Sequence, residues 1–295
     1  MNFTLRLPPE LIACTHAAMA TEFVFHLGGH DPAYLRQAAA EAFALIDLLE
    51  SRLSFYRETS DVTRLNRAPA GTDVSVSPET LACLELAAEA AQLTGGAFDA
   101  FTGRAALAAK QQETPLHLVG APEPGKHDRP GPVVSLHPES GVVLKLRAGP
   151  WLDLGALGKG YALDQAALQL AEWGITTGCL IAGGSSLRGL GGAGWTLEMG
   201  PPPTEYALPG DFCLGASGFL FQPGHIIDPR PAAEKPGTAR ALVLAPNAAL
   251  ADALSTAALL LRADQLSQLT RDRPGLASYV FSTSGESRRN GPPFA

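Results

Sequence analysis

The sequence predicts an α+β fold in which helices cover a mixed sheet, and three observations lead there. Long segments carry apolar residues at helical spacing, short apolar runs bounded by Gly and Pro fall between them, and no long period repeats along the chain. At 295 residues with 46% hydrophobic content, the chain can bury a sizeable core as one large domain or as two lobes.

Taken in order, Thr21–Leu27 reads as a strand, Pro32–Leu53 as an amphipathic helix, Pro78–Leu93 as a second helix and Phe101–Lys110 as a shorter one. The Pro- and Gly-rich stretch Glu113–Pro132 reads as an exposed excursion. Val133–Leu136, Val142–Leu146 and Pro150–Leu154 then form a strand run into a glycine-rich turn at Gly155–Gly160. Tyr161–Trp173 follows as a helix with apolar residues at Leu163, Ala167, Leu168 and Ala171. Strands return at Gly178–Ile181, Trp195–Met199, Asp211–Gly215 and Ala241–Leu244, interrupted by Pro201–Pro203 and Pro229–Pro236. A helix over Ala248–Arg262 with Asn247 as its N-cap, a second short helix and a strand at Ala277–Phe281 close the pattern. Gly189–Gly194 satisfies the GxGxxG spacing of a dinucleotide fingerprint, but Trp195-Thr-Leu-Glu198 follows where a helix is needed. It reads instead as a glycine-rich hairpin turn.

Charge and composition exclude several classes. A net charge of −7, from 22 basic and 29 acidic residues, lacks the basic face of a nucleic-acid binder. No apolar run is long enough to span a bilayer. Cys14, Cys83, Cys179 and Cys213 are too far apart for a CxxC or zinc pattern and read as buried or reduced thiols. The first 23 residues have no continuous apolar core, since two prolines and Glu10 interrupt it, and Cys14 does not follow a signal segment. A cytoplasmic protein is expected.

The chemistry concentrates in two segments. Leu152–Asp164, LDLGALGKGYALD, puts glycines, Lys159 and two acids at a strand-to-helix transition. There the free N–H groups and dipole of a helix start favour an anion such as phosphate. Gly160 after Lys159 excludes a Walker loop, which needs Ser or Thr at that point and a longer glycine spacing. Taken alone, such a turn is more often ordinary turn chemistry. In the helix PNAALADALSTAALLLR, Asp252 and Thr256 stand four apart on one face, two hard oxygen ligands suited to magnesium yet incomplete as a shell. A lone DxxxT is more often a solvated Asp and a Thr bonded to its own helix.

Met19-Ala-Thr21, Ser54–Asn66, Gly96-Ala-Phe-Asp99, LDLGALGKGYALD, Ala182-Gly-Gly184, His225-Ile-Ile-Asp-Pro-Arg230 and Ala251–Thr256 occur in the order seen in the ApbE family of FAD:protein FMN transferases. The chain resembles that family over roughly residues 17–281. The resemblance implies an ApbE-like, T-fold-like single large domain at 17–284, with a segment 1–16 before it and a flexible tail 285–295. It implies FAD contacts at Met19, Tyr56, Ala97, Phe98, Asp99, Asp153 and Lys159. It implies magnesium at Asp252 and Thr256 with the backbone carbonyl of Ala156, and a transfer-step histidine at His225. The implied reaction moves FMN from FAD to a Thr or Ser of an acceptor flavoprotein, a redox subunit, and releases AMP. Lys159 and magnesium would neutralise the diphosphate, and His225 would accept the hydroxyl proton.

Three departures stand out. Ala20 replaces a glycine of the family's Met-Gly-Thr, and Ser185 replaces the Asp of Gly-Gly-Asp. Ala216–Gln222 is more apolar and shorter before His225 than the family's pattern. Two other readings therefore stay open: an FAD pyrophosphatase yielding FMN and AMP, and a flavin-binding protein that has lost catalysis.

Overall fold

The computed structural model describes residues 3–123, 131–191, 195–200, 204–219, 226–230 and 237–292. In chain order it runs β1 (Thr4–Arg6), β2 (Ile12–Ala18), β3 (Thr21–Leu27), α1 (Pro32–Leu53), α2 (Asp61–Arg67), β4 (Thr72–Ser75), α3 (Pro78–Leu93) and α4 (Gly103–Ala109). It continues with β5 (Val134–His137), β6 (Val142–Lys145), α5 (Gly158–Glu172), β7 (Gly178–Ala182), β8 (Ser186–Gly189), β9 (Trp195–Met199) and β10 (Thr204–Leu208). The last elements are β11 (Cys213–Gly218), β12 (Thr238–Leu244), α6 (Ala248–Ala258), α7 (Ala263–Arg271), β13 (Ala277–Ser282) and β14 (Ser287–Asn290). The α+β class is observed. Within it every described strand pairing is antiparallel, where a mixed sheet was expected.

The chain divides into two compact units. The first comprises Met1–Asp47, Lys159–Gly218 and Pro236–Ala295. Its eight-stranded sheet has the order β14-β13-β12-β11-β8-β7-β3-β2, and a separate three-stranded sheet runs β1-β9-β10. Alternation along the strands sorts residues between two faces. Cys179, Leu187, Leu214, Leu242 and Leu244 form one core with Trp195, Leu197, Met199 and Leu208 of the smaller sheet. The intervening Leu180, Gly215, Ala241 and Val243 belong to the other face, where α6 packs on β8, β11 and β12. The contact is close enough that a Cβ on Gly215 would lie 2.2 Å from the Ala251 carbonyl oxygen.

The second unit comprises Leu48–Gly158 and Phe219–Lys235. Its sheet has the order β4-β6-β5, and α3 packs on β5. Ser60 caps α2 and Ser77 caps α3, each side chain accepting an amide three residues on. Buried Asp61 ties the two helices, since it accepts from the Ser77 amide and the Thr80 hydroxyl, each at 2.8 Å, and from Arg64. Lys145 is 1% exposed; its Nζ donates to the Pro150 carbonyl at 3.4 Å and lies 5.8 Å from the Phe101 ring centre.

Several expectations need correction. Pro150–Leu154 is not a strand: Asn66 brackets Leu152 with two side-chain hydrogen bonds of 2.9 and 2.7 Å, and Asp153 N donates to the Ala100 carbonyl. The segment is satisfied by a side chain and a 3₁₀ turn, so no strand partner is required. The glycine run Gly189–Gly194, partly outside the described residues, is not a hairpin, because β8 pairs with β7 and β11 whereas β9 pairs with β1 and β10. It carries the chain from one sheet to another. α6 stops at Ala258 because Leu259–Leu261 turn into α7, whose start is tied by the Arg262 amide donating to Gln265. The terminal segments 1–16 and 285–295 also contribute structure. β1 and most of β2 lie in the first, and β14 pairs with β13 in the second. Among the described residues no helix is long and apolar enough to cross a membrane.

Candidate active site

The first unit brings the lysine-bearing turn and the Asp/Thr helix together. Lys159 and Gly160 open α5, and Asp252 lies one turn into α6. Gly160 N donates to Asp252 Oδ2 at 2.9 Å, the Ser186 hydroxyl donates to the same oxygen at 2.8 Å, and Lys159 Nζ stands 3.9 Å from it. Glycine is required at 160, since a Cβ would sit 2.1 Å from the Ala248 carbonyl oxygen. One of the α5 first-turn amides expected to favour an anion is thus occupied by a protein carboxylate.

A second carboxylate runs the other way. Asp164, one turn along α5 from Gly160, accepts the Ala248 and Ala249 amides at 3.0 Å each, satisfying the first free donors of α6. Asn247 takes the Leu250 amide at 2.8 Å as the expected cap. Arg188 on β8 holds Asp164 Oδ1 at 2.7 Å and also donates to the Cys213 thiol. Burial raises the Asp164 pKa, opposed by the Ala248 and Ala249 amides and Arg188.

Asp252 is 5% exposed, and burial pushes its carboxyl up to about 6 against the Lys159 charge and the Ser186 and Gly160 hydrogen bonds. Oδ1 accepts no hydrogen bond among the described residues. Thr256 Oγ1 lies 3.4 Å from the Asp252 carbonyl oxygen and 3.2 Å from Ser217 Oγ, which is 2.8 Å from Ser255 Oγ. Among the described residues no group of three or more His, Cys, Asp or Glu could hold a metal ion. A spare carboxylate oxygen and a hydroxyl one turn apart nevertheless suit a hard cation that draws most of its shell from carbonyls, water and substrate.

Met19 and Ala20 form the two-residue turn between β2 and β3, where Ala18 pairs with Thr21. Both have positive φ, 51° and 57°, as a type I′ turn requires. Gly183 packs on this turn: its amide donates to the Glu22 carbonyl, and a Cβ would meet Thr21 Oγ1 at 2.4 Å. The Met-Ala-Thr and Ala-Gly-Gly segments are therefore neighbours. Ser185, where the family carries Asp, has its hydroxyl 3.5 Å from that of Ser186, and its carbonyl accepts the Ala216 amide.

The second unit holds the remaining expected residues. Phe98 and Asp99 line a cavity of about 680 Å³ with Phe101, Arg147 and Asp228, while Tyr56 and Asp153 are outside its lining. Asp99 Oδ1 accepts the Phe101 amide, and Ala97 is 1% exposed. Tyr56 is 59% exposed, and partial burial and the Asp153 carboxylate raise its phenol pKa. Asp153 Oδ1 also accepts the Gly155 amide, which fixes the turn that contains Ala156. His225 lies outside the described residues. Ile227, Asp228 and Pro229, just beyond it, line the same cavity, with Asp228 paired to Arg230 at 2.8 Å.

The sequence reading missed Ser186, Ser217 and Ser255 and the use of Asp164 and Arg188. Asp164, Ser217 and Ser255 lay within segments already singled out, and nothing local marks Ser186 or Arg188.

Comparison with known proteins gives the family and the fold. The model of the ApbE family matches residues 19–280. An FAD:protein FMN transferase of Rhodobacter capsulatus is 37% identical over 123 residues, 36% of this chain and 23% of that protein. One of Vibrio cholerae is 28% identical over 204 residues, 63% of this chain and 61% of that protein. The match thus spans less than two thirds of either relative. The solved flavin transferase ApbE of Vibrio cholerae superposes with a TM-score of 0.76 at 20% identity, covering 96% of this chain and 98% of that one. The ApbE protein of Thermotoga maritima gives 0.75 at 23% identity, covering 95% and 97%. With the family model reaching from the β2–β3 turn into β13, the chain belongs to the ApbE family.

Proposed function

We propose that the protein is a magnesium-dependent transferase that moves FMN from FAD onto a Thr or Ser hydroxyl of an acceptor flavoprotein and releases AMP. Both relatives above are named for FAD:protein FMN transfer. The observation that carries the reading is the approach of Lys159 to buried Asp252, one of whose oxygens is left without a donor among the described residues.

In this reading the acceptor oxygen attacks the phosphorus bearing the riboflavin, the diphosphate P–O bond breaks, and AMP leaves. Lys159 places a positive charge against the leaving phosphate, and His225 takes the hydroxyl proton. Asp252 and Thr256, with the Ala156 carbonyl, would hold magnesium, whose chemistry when bound is to neutralise the diphosphate. Met19, Ala97, Phe98, Asp99 and Asp153 contribute to holding FAD, and exposed Tyr56 offers a ring face for stacking. A cytoplasmic location belongs to the same proposal and is supported by Cys14, Cys179 and Cys213 being thiols.

The test incubates the protein with FAD and magnesium, with and without a candidate acceptor, and follows AMP and covalent flavin fluorescence on a denaturing gel. Labelled acceptor with AMP supports the reading. AMP formed equally without acceptor replaces it with hydrolysis, and bound FAD without AMP replaces it with binding alone.

A further inference from the structure

We infer that Asp164 is a positioning residue for the metal ligands: it locks α6 to α5 in the one register that presents Asp252 and Thr256 beside Lys159. The inference rests on the proposed function for the identity of the ligand, but its geometry is independent of it. Each helix offers an amide in its first turn and a carboxylate four residues later. Gly160 N is received by Asp252 of α6, and Ala248 N and Ala249 N are received by Asp164 of α5. The two carboxylates therefore cross over, each closing the N-terminus of the other's helix, so neither helix can slide without losing hydrogen bonds on both.

Two further contacts make the lock specific. Gly160 allows the backbones to touch, since a Cβ there would lie 2.1 Å from the Ala248 oxygen. Arg188 reaches across from β8 to hold Asp164 Oδ1, tying the helix pair to the strand that also supplies Ser186 to Asp252. An ordinary cap would use the helix's own preceding residue, and Asn247 already does so. Asp164 adds a tie between helices that Asn247 does not supply.

The test measures FAD affinity by flavin fluorescence across a magnesium titration, together with thermal melting, for Asp164→Asn, Arg188→Gln and Asn247→Ala. Asp164→Asn should raise the magnesium concentration for half-maximal tight FAD binding about tenfold, with affinity in chelator changed less than about twofold. Arg188→Gln keeps both α6 amides on Asp164 and should raise it about threefold, which keeps the test available if the first variant does not fold. Asn247→Ala weakens the same helix end without touching the tie, and should lower the melting temperature while leaving the magnesium midpoint within about twofold. An unchanged midpoint in Asp164→Asn, or in Arg188→Gln should Asp164→Asn not fold, overturns the inference. So does a shift that follows melting temperature equally in all three variants. Wild-type protein whose FAD affinity ignores magnesium overturns it too. Wild-type protein that binds FAD with magnesium yet releases no AMP sinks the transferase reading alone and leaves the positioning role to be judged by binding.

Discussion

The amide of Gly160 donates to Oδ2 of Asp252 at 2.9 Å, joining residues 92 positions apart. That bond makes the lysine turn and the Asp/Thr helix one site, and it requires glycine. Gly160→Ala would drive a methyl into the Ala248 backbone, which cannot rotate away as a side chain can. Expected is a loss of about 3 kcal/mol of stability by chemical denaturation, together with weakened magnesium response. A folded variant with an unshifted denaturation midpoint would contradict the packing described.

Ala20 sits at φ 57°, in the left-handed region that L-residues enter at a cost of roughly 1 to 2 kcal/mol. The methyl that Ala20 adds to this turn carries that strain. Ala20→Gly should therefore stabilise the protein by about 1 kcal/mol, the relief of strain outweighing the greater freedom of glycine in the unfolded chain. Calorimetric melting checks it, and a lower melting temperature would show that the turn is relaxed.

Lys145 gives stability a pH dependence. Burial, then the like charge of Arg147, pulls its pKa from 10.5 to about 8. Between those values the unfolded chain binds the proton that the folded chain has released, so stability rises with pH across that window, and the cost of the buried charge is complete below it. Lys145→Met should raise stability at pH 7 by about 2 to 3 kcal/mol and flatten the rise above pH 8. Denaturant midpoints at several pH values decide the matter: the same slope in both proteins would remove Lys145 as its source.

Asp252→Ala should abolish magnesium-dependent AMP release, because it removes the spare carboxylate oxygen and frees Lys159 of its partner. Magnesium-dependent turnover at the wild-type rate would withdraw the metal assignment.

His225→Ala should lower transfer by on the order of a hundredfold with little change in FAD affinity, as expected when a proton acceptor is lost. Equal losses of turnover and affinity would mark the histidine as structural.

Legibility followed the range of the interactions. The bounds of α1 and α3 agree with the sequence reading residue for residue, because 22 and 16 positions of apolar periodicity are a local signal. β1, β4 and β14 escaped it: three or four residues long and partly exposed, they are strands only because a distant partner accepts them. Asp164 was visible merely as a second acid in a glycine-rich stretch, and its place at the start of α6 is a non-local fact.

By itself the sequence determined the fold class, the longest helices, the family motifs and the candidacy of Lys159, Asp252 and Thr256, since residue type and short-range spacing carry all of these. Only the tertiary structure decided which amide meets which carboxylate. Pairings such as Gly160 with Asp252 and Ala248 with Asp164 arise from two helices packed directly on each other, and a helix start looks the same in sequence whether a phosphate or another helix's aspartate closes it.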